Sequence, residues 1–148
     1  MTYIKRLIQI LLFVYLLIVV LLTFTQVVFR NFGISISGYD EIIGIAAIWS
    51  YFLGMAHTTL TDSHIKGGLD ELIKNETVKN ILGNISNLGL LIFSMIALMA
   101  SIDIFITAFT HDYRSLYFNI PITLSASALV VGFGLNILFI VARRIYKK

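Results

Sequence analysis

Cysteine is missing from this 148-residue sequence. Its absence excludes disulfides, thiolate metal sites, cysteine nucleophiles and iron–sulfur ligation. Charge is scarce as well. Asp, Glu, Lys and Arg together make up 13%, against about 25% in a soluble domain, so a water-facing surface cannot be built from this composition. Long polar runs are also lacking: none exceeds the twenty residues from Thr61 to Asn80, which leaves no room for a soluble domain. The sequence has no nucleophile–base constellation, no glycine-rich phosphate loop and no carboxylate pair at catalytic spacing. Neither enzyme chemistry nor a resident cofactor is expected. What is abundant is apolar: 58% of the residues are hydrophobic and the mean hydropathy is +0.91. The chain reads as a single all-α integral membrane domain, residues 1–148, with four crossings and short loops.

The first apolar segment, residues 7–29, contains 23 residues and no charge. At 1.5 Å per residue it covers about 34 Å, enough for a hydrocarbon core of roughly 30 Å. Lys5 and Arg6 precede it as they would in a signal peptide, but the run is too long and no small-residue cleavage site follows. The second segment, 41–60, opens on Asp40 and Glu41, which suit the positive end of a helix dipole. Ser37 or Asp40 is a candidate cap. The third, 81–109, is longer than one crossing needs, so it should tilt or protrude. The fourth, 120–142, has Asn119 as candidate N-cap and Pro121, the only proline, in its first turn, where the missing N–H costs nothing. Between the second and third, residues 66–80 combine Leu69, Leu72 and Ile73 with Asp70, Glu71, Lys74 and Lys79. That pattern suits either a short interfacial helix hinged at Gly67-Gly68 or a solvated loop.

With four crossings, both termini share one side with the middle loop. Nine of the 11 basic residues fall there, from Lys5 and Arg6 through Lys66, Lys74 and Lys79 to Arg143, Arg144, Lys147 and Lys148. Only Arg30 and Arg114 fall opposite. The positive-inside rule then places both termini in the cytoplasm. The basic residues are topogenic signals and contacts for membrane lipids. They form no basic–aromatic patch of the kind nucleic acid needs.

An ionisable group inside a membrane is a functional suspect by default. Asp103 lies near the outer end of the third segment, and it reads as an interfacial carboxylate paired with Arg30 or Arg114. His57 lies near the inner end of the second. His57 and His64 share one helix or its exit while His111 is on the opposite side, which is a poor arrangement for haem. Helix-packing chemistry is better represented. Ala46, Ser50, Gly54 and Thr58 recur every four residues along the second segment, with Trp49 beside them. Such a stripe lets another helix approach closely, within the bundle or from another subunit. Ser125, Ala128, Gly132 and Asn136 form a similar run in the fourth.

The order of residues around the second segment is more specific. Arg30-Asn31 is followed by a loop with Gly33, Ser35 and Ser37, then Asp40-Glu41, Trp49, Phe52-Leu53-Gly54-Met55-Ala56 and His64-Ile65. This resembles the small, Q-type membrane subunit of tripartite ATP-independent periplasmic (TRAP) transporters, over about 35 residues in motif and over the whole chain in architecture. Tyr39 stands where that family usually has tryptophan, and Lys66-Gly67-Gly68-Leu69 intervenes before Asp70.

The resemblance implies a multi-pass protein of the bacterial inner membrane with both termini cytoplasmic. Its partners would be a large multi-helix membrane subunit, which carries the substrate and sodium sites, and a periplasmic substrate-binding protein. The cargo would be an organic acid, and the small subunit a fixed scaffold. Arg30, Asn31, Asp40 and Glu41 would then form a periplasmic polar cluster. Ala46, Trp49, Ser50, Gly54 and Thr58 would pack against another helix or the large subunit. His64 and Lys66 would lie at the cytoplasmic headgroups. Two other readings compete. A haem- or quinone-binding anchor of a respiratory enzyme needs histidines at matched depth. A small four-helix multidrug exporter resembles chains with a glutamate inside the first helix, and here that helix has no acid.

Overall fold

The computed structural model describes residues 2–34, 37–61 and 76–146. Four helices account for most of them: α1 (Thr2–Asn31), α2 (Tyr39–Thr61), α3 (Glu76–Thr110) and α4 (Thr123–Tyr146). Each contains a stretch long and apolar enough to cross a membrane, and the chain is a multi-pass membrane protein. Among the described residues β structure is limited to an isolated bridge between Arg114 and Pro121.

The helices outrun the apolar segments that seed them. α1 takes in Lys5 and Arg6, since nothing breaks a helix before Gly33. It closes in a Schellman turn: Gly33 N–H donates to Arg30 C=O at 3.1 Å, Ile34 N–H to Phe29 C=O at 3.0 Å, and Gly33 takes φ +73°. α3, with 35 residues, is about 52 Å long and far exceeds one crossing. Residues 76–80, expected in an interfacial segment over 66–80, belong to its first turn; residues 66–75 lie outside the described residues. α3 ends in the same kind of turn as α1, with Asp112 at φ +46° and Tyr113 N–H donating to Ala108 C=O. α4 begins at Thr123, later than the sequence suggests. Asn119 sits in a tight turn at φ +56° and Pro121 pairs with Arg114, so neither belongs to the helix. The backbone there is drawn into a hairpin by Ser115 N–H to Ile120 C=O (2.8 Å) and Ile122 N–H to Tyr113 C=O (2.9 Å).

The helices pack as a row in the order α1, α2, α4, α3. The middle members are the more covered. Over an 18-residue apolar stretch of each helix, 28% of residues are buried in α2 and 39% in α4, against 6% in α1 and 11% in α3. α1 and α2 meet where Tyr15 stacks on Trp49 (6.0 Å) and where Ile8 and Leu12 join Ala56, Leu60, Leu135 and Phe139 in a small core. Trp49 also donates from Nε1 to the Leu124 carbonyl of α4 at 3.2 Å, so one indole ties three helices. Phe133 of α4 lies edge-on to Phe52 of α2 (5.2 Å) and Phe93 of α3 (6.2 Å).

The closest helix approach is at Gly132. A Cβ there would stand 2.5 Å from Phe52 Cβ, whereas at Gly54 it would meet only Leu12 Cδ2 at 3.8 Å, an ordinary contact. The small residue that α2 and α4 require is therefore Gly132 rather than Gly54. Gly132→Ala should destabilise the purified protein by about 1–3 kcal/mol, the cost of overpacking a filled seam. Gly54→Ala should leave it near the wild type. Thermal unfolding of both variants in one detergent checks the contrast.

Candidate functional site

By topology the α1–α2 and α3–α4 loops lie together at the end of the row far from the termini. Two acidic residues organise this far end. Asp40, in the first turn of α2, accepts from Gln26 Nε2 of α1 at 2.9 Å. Glu41 turns the other way. Its Oε2 accepts from Ser115 Oγ (2.7 Å) and Phe118 N–H (3.0 Å), and its Oε1 from Tyr117 N–H (2.8 Å). A carboxylate that collects backbone donors in a turn makes strong, charge-assisted bonds. Ser115 Oγ in turn accepts from Ile120 N–H at 3.0 Å, so the carboxylate and the hydroxyl fasten both limbs of the hairpin.

Gly38 makes this approach possible. It has φ +96°, and a Cβ there would lie 2.7 Å from the Phe118 ring and 2.9 Å from Tyr117 Cβ. Only glycine suits both the conformation and the contact. The hairpin tip thus rests on the start of α2.

Deeper in the row a second set of polar groups crosses two seams. Thr59 of α2 donates to Asn136 Oδ1 of α4. Asn136 Nδ2 donates to Ser94 Oγ of α3 at 2.7 Å. Ser94 passes its own proton to Leu90 C=O at 2.7 Å. All three side chains are buried, Asn136 and Ser94 completely. A polar group buried in an apolar medium must be satisfied, and these satisfy one another across helices.

The sequence-derived candidates are distributed as follows. Asp40 and Glu41 join separate bonds at the far end, while Arg30 and Asn31 stay exposed beside them. Arg114 does not reach Asp103. Its Nε pairs with Asp112 at 3.0 Å, because both flank the turn that ends α3. Asp103 is exposed on α3 and has no ion-pair partner among the described residues. Ala46 and Ser50 are buried, Ser50 donating to Ala46 C=O, while Thr58 is half-buried and donates to Met55 C=O. His57 has a buried Nε2 without a hydrogen-bond partner among the described residues, and His111 stacks on Tyr113. His64 and Lys66 lie outside the described residues. Gln26, Gly38, Ser115, Thr59 and Ser94 were not singled out by the sequence. An amide inside the apolar run of α1 was a readable signal for Gln26; a lone serine or threonine in an apolar helix carries none.

Residues 19–147 match the family model described as tripartite ATP-independent periplasmic transporters, DctQ component. No curated protein and no solved structure matches the chain.

Two outcomes test the site. Asn136→Leu removes both inter-helix bonds, yet Thr59 can then give its one hydroxyl proton to Met55 C=O, 3.1 Å away, and Ser94 keeps its bond to Leu90 C=O. The loss should therefore be about 1–3 kcal/mol, the sum of two membrane hydrogen bonds and some packing. Unfolding in detergent, with Thr59→Val and Ser94→Ala in a double-mutant cycle, reads it. In Glu41→Gln the amides of Tyr117 and Phe118 should exchange with deuterium faster than in the wild type, while those of α4 keep their rate.

Proposed function

The chain belongs to the DctQ component family of tripartite ATP-independent periplasmic transporters, and from that premise we propose that it is the fixed scaffold subunit of such an importer. In this reading it moves nothing by itself. A large multi-helix membrane subunit carries the substrate and sodium sites and slides against it. A periplasmic binding protein delivers the cargo, an organic acid. The complex sits in the bacterial inner membrane with both termini of this chain in the cytoplasm, the side on which nine of its 11 basic residues lie. The far end, with Arg30, Asn31 and Asp40, then faces the periplasm and the binding protein.

One observation supports the scaffold role most directly: three buried polar side chains from three helices bond one another. Thr59, Asn136 and Ser94 close two helix seams. Secondary-transport sites instead hold polar groups and unwound helix ends open to a cavity near the midplane. Here α1, α2 and α4 run unbroken through their spans, and polar chemistry serves rigidity. The exposed apolar flanks of α1 and α3 remain for lipid and for the large subunit.

Purification of the tagged chain from its native membrane in mild detergent tests this reading. A single large polytopic protein should co-purify in stoichiometric amount, and mass spectrometry identifies it. Glu41→Gln should lower that yield or the transport it supports. Recovery of the chain alone as a homo-oligomer, or with flavin or iron–sulfur subunits, would overturn the proposal.

A further inference from the structure

We propose that the hairpin joining α3 and α4 is a membrane-interface anchor, with Leu116, Tyr117 and Phe118 seated among the lipid headgroups and upper acyl chains of the leaflet at the far end. The inference depends on the helices spanning a bilayer and not on the transporter reading.

Three observations carry it. The first is apolar exposure that folding does not remove. Leu116 is 87% exposed, and Tyr117 and Phe118 are also exposed. They cannot retreat, because the tip is held by Glu41 and rests against Gly38. The second is backbone satisfaction. Ser115 and Ile122 donate their N–H groups to carbonyls of the hairpin, Ile120 to Ser115 Oγ, and Tyr117 and Phe118 to Glu41. A loop in water can make such bonds but can also leave these groups to solvent. Irregular backbone at the edge of a hydrocarbon layer needs them, because an unpaired N–H there is costly.

The third observation is the placement of charge. From Ser115 to Ala142 the sequence holds no charged residue, so the tip continues the spanning surface of α4 without a break. The charges of this loop, Asp112 and Arg114, lie on the limb before the tip and pair with each other. Tyrosine among apolar neighbours suits the headgroup level, where the ring is buried and the hydroxyl stays wet. A soluble partner would be met by a water-facing patch, and a rigid, uncharged, aromatic tip flanked by two spanning helices favours lipid instead.

The absence of native cysteine makes the test direct. Leu116→Cys, at a side chain in open space, is labelled with a nitroxide in the purified full-length chain, where it is the sole thiol, before the chain is returned to its native membrane complex. The complex is placed in nanodiscs of phosphatidylethanolamine and phosphatidylglycerol. Collision rates with oxygen and with a water-soluble nickel chelate are measured, and lipids labelled at the headgroup and along the acyl chain serve as the depth ruler. The label at position 116 should fall at or below the phosphate level, with an oxygen-to-nickel ratio several-fold above that of a label in water. A ratio equal to that in water would overturn the proposal and leave the tip as a water-facing surface. Shielding from both reagents would overturn it too, because the tip would then be covered by protein.

Discussion

In a row of helices the middle members must satisfy two neighbours at once, and Asn136 does this with a single amide. Its oxygen accepts from Thr59 of α2 and its nitrogen donates to Ser94 of α3, at a point where all three side chains are buried. An amide has both a donor and an acceptor, and the two neighbours take one each. In lipid the hydrophobic effect does not drive helices together, so packing and such bonds select the arrangement. Rotating α4 by one residue would turn Asn136 about 100° away from both partners. The bond pair therefore fixes the rotation of α4. Rotation in turn decides that Gly132 meets Phe52 and that Phe133 reaches both Phe52 and Phe93.

The far end fixes what Asn136 leaves free. Two helices joined at one depth can still splay. Glu41 prevents this by holding the hairpin of α3 and α4 against the start of α2. Trp49 lies between the two attachments and adds α1 through Tyr15. Three contacts spaced along the row give a body whose members cannot slide separately. That is the mechanical property the proposed scaffold role requires, and it arises from ordinary packing chemistry rather than from any specialised site.

The crossings were legible in the sequence because an apolar run without charge has few alternatives in a chain with so little polar surface. Their ends were less so. Lys5 and Arg6 belong to α1, and residues 76–80 to α3, because a charged residue near the headgroups is no reason for a helix to stop. The acids at the start of α2 stood out, but their partners did not, since the hairpin of residues 115–122 is docked on Glu41 by hydrogen bonds that link positions 74 to 77 apart in sequence. Spacing singled out Gly54 as the close-approach residue, with Gly132 only part of a similar run, and the structure reverses that ranking. Only the order of the row decides between them, and near-uniform hydrophobicity around each helix hides that order. Asp103 and Arg114 looked like a pair because both are expected at the same depth, yet Asp112 is nearer in chain and wins.

The row explains why so much of this chain is apolar and so little of it is buried. A closed four-helix bundle hides one face of every helix; a row hides two sides of its middle members and a single side of its end members. α1 keeps Leu7, Phe13, Val20 and Phe24 exposed along its length, and α3 keeps Ile85, Phe93, Met99 and Phe109. In water such a surface would aggregate. In a bilayer it costs nothing, since lipid tails are as apolar as leucine. The same freedom makes the end helices available to another membrane protein without loss of contacts within the row. A chain built this way gains stability from its seams and leaves its flanks uncovered, so its internal bonds and its exposed apolar surfaces fall on different sides of the same helices.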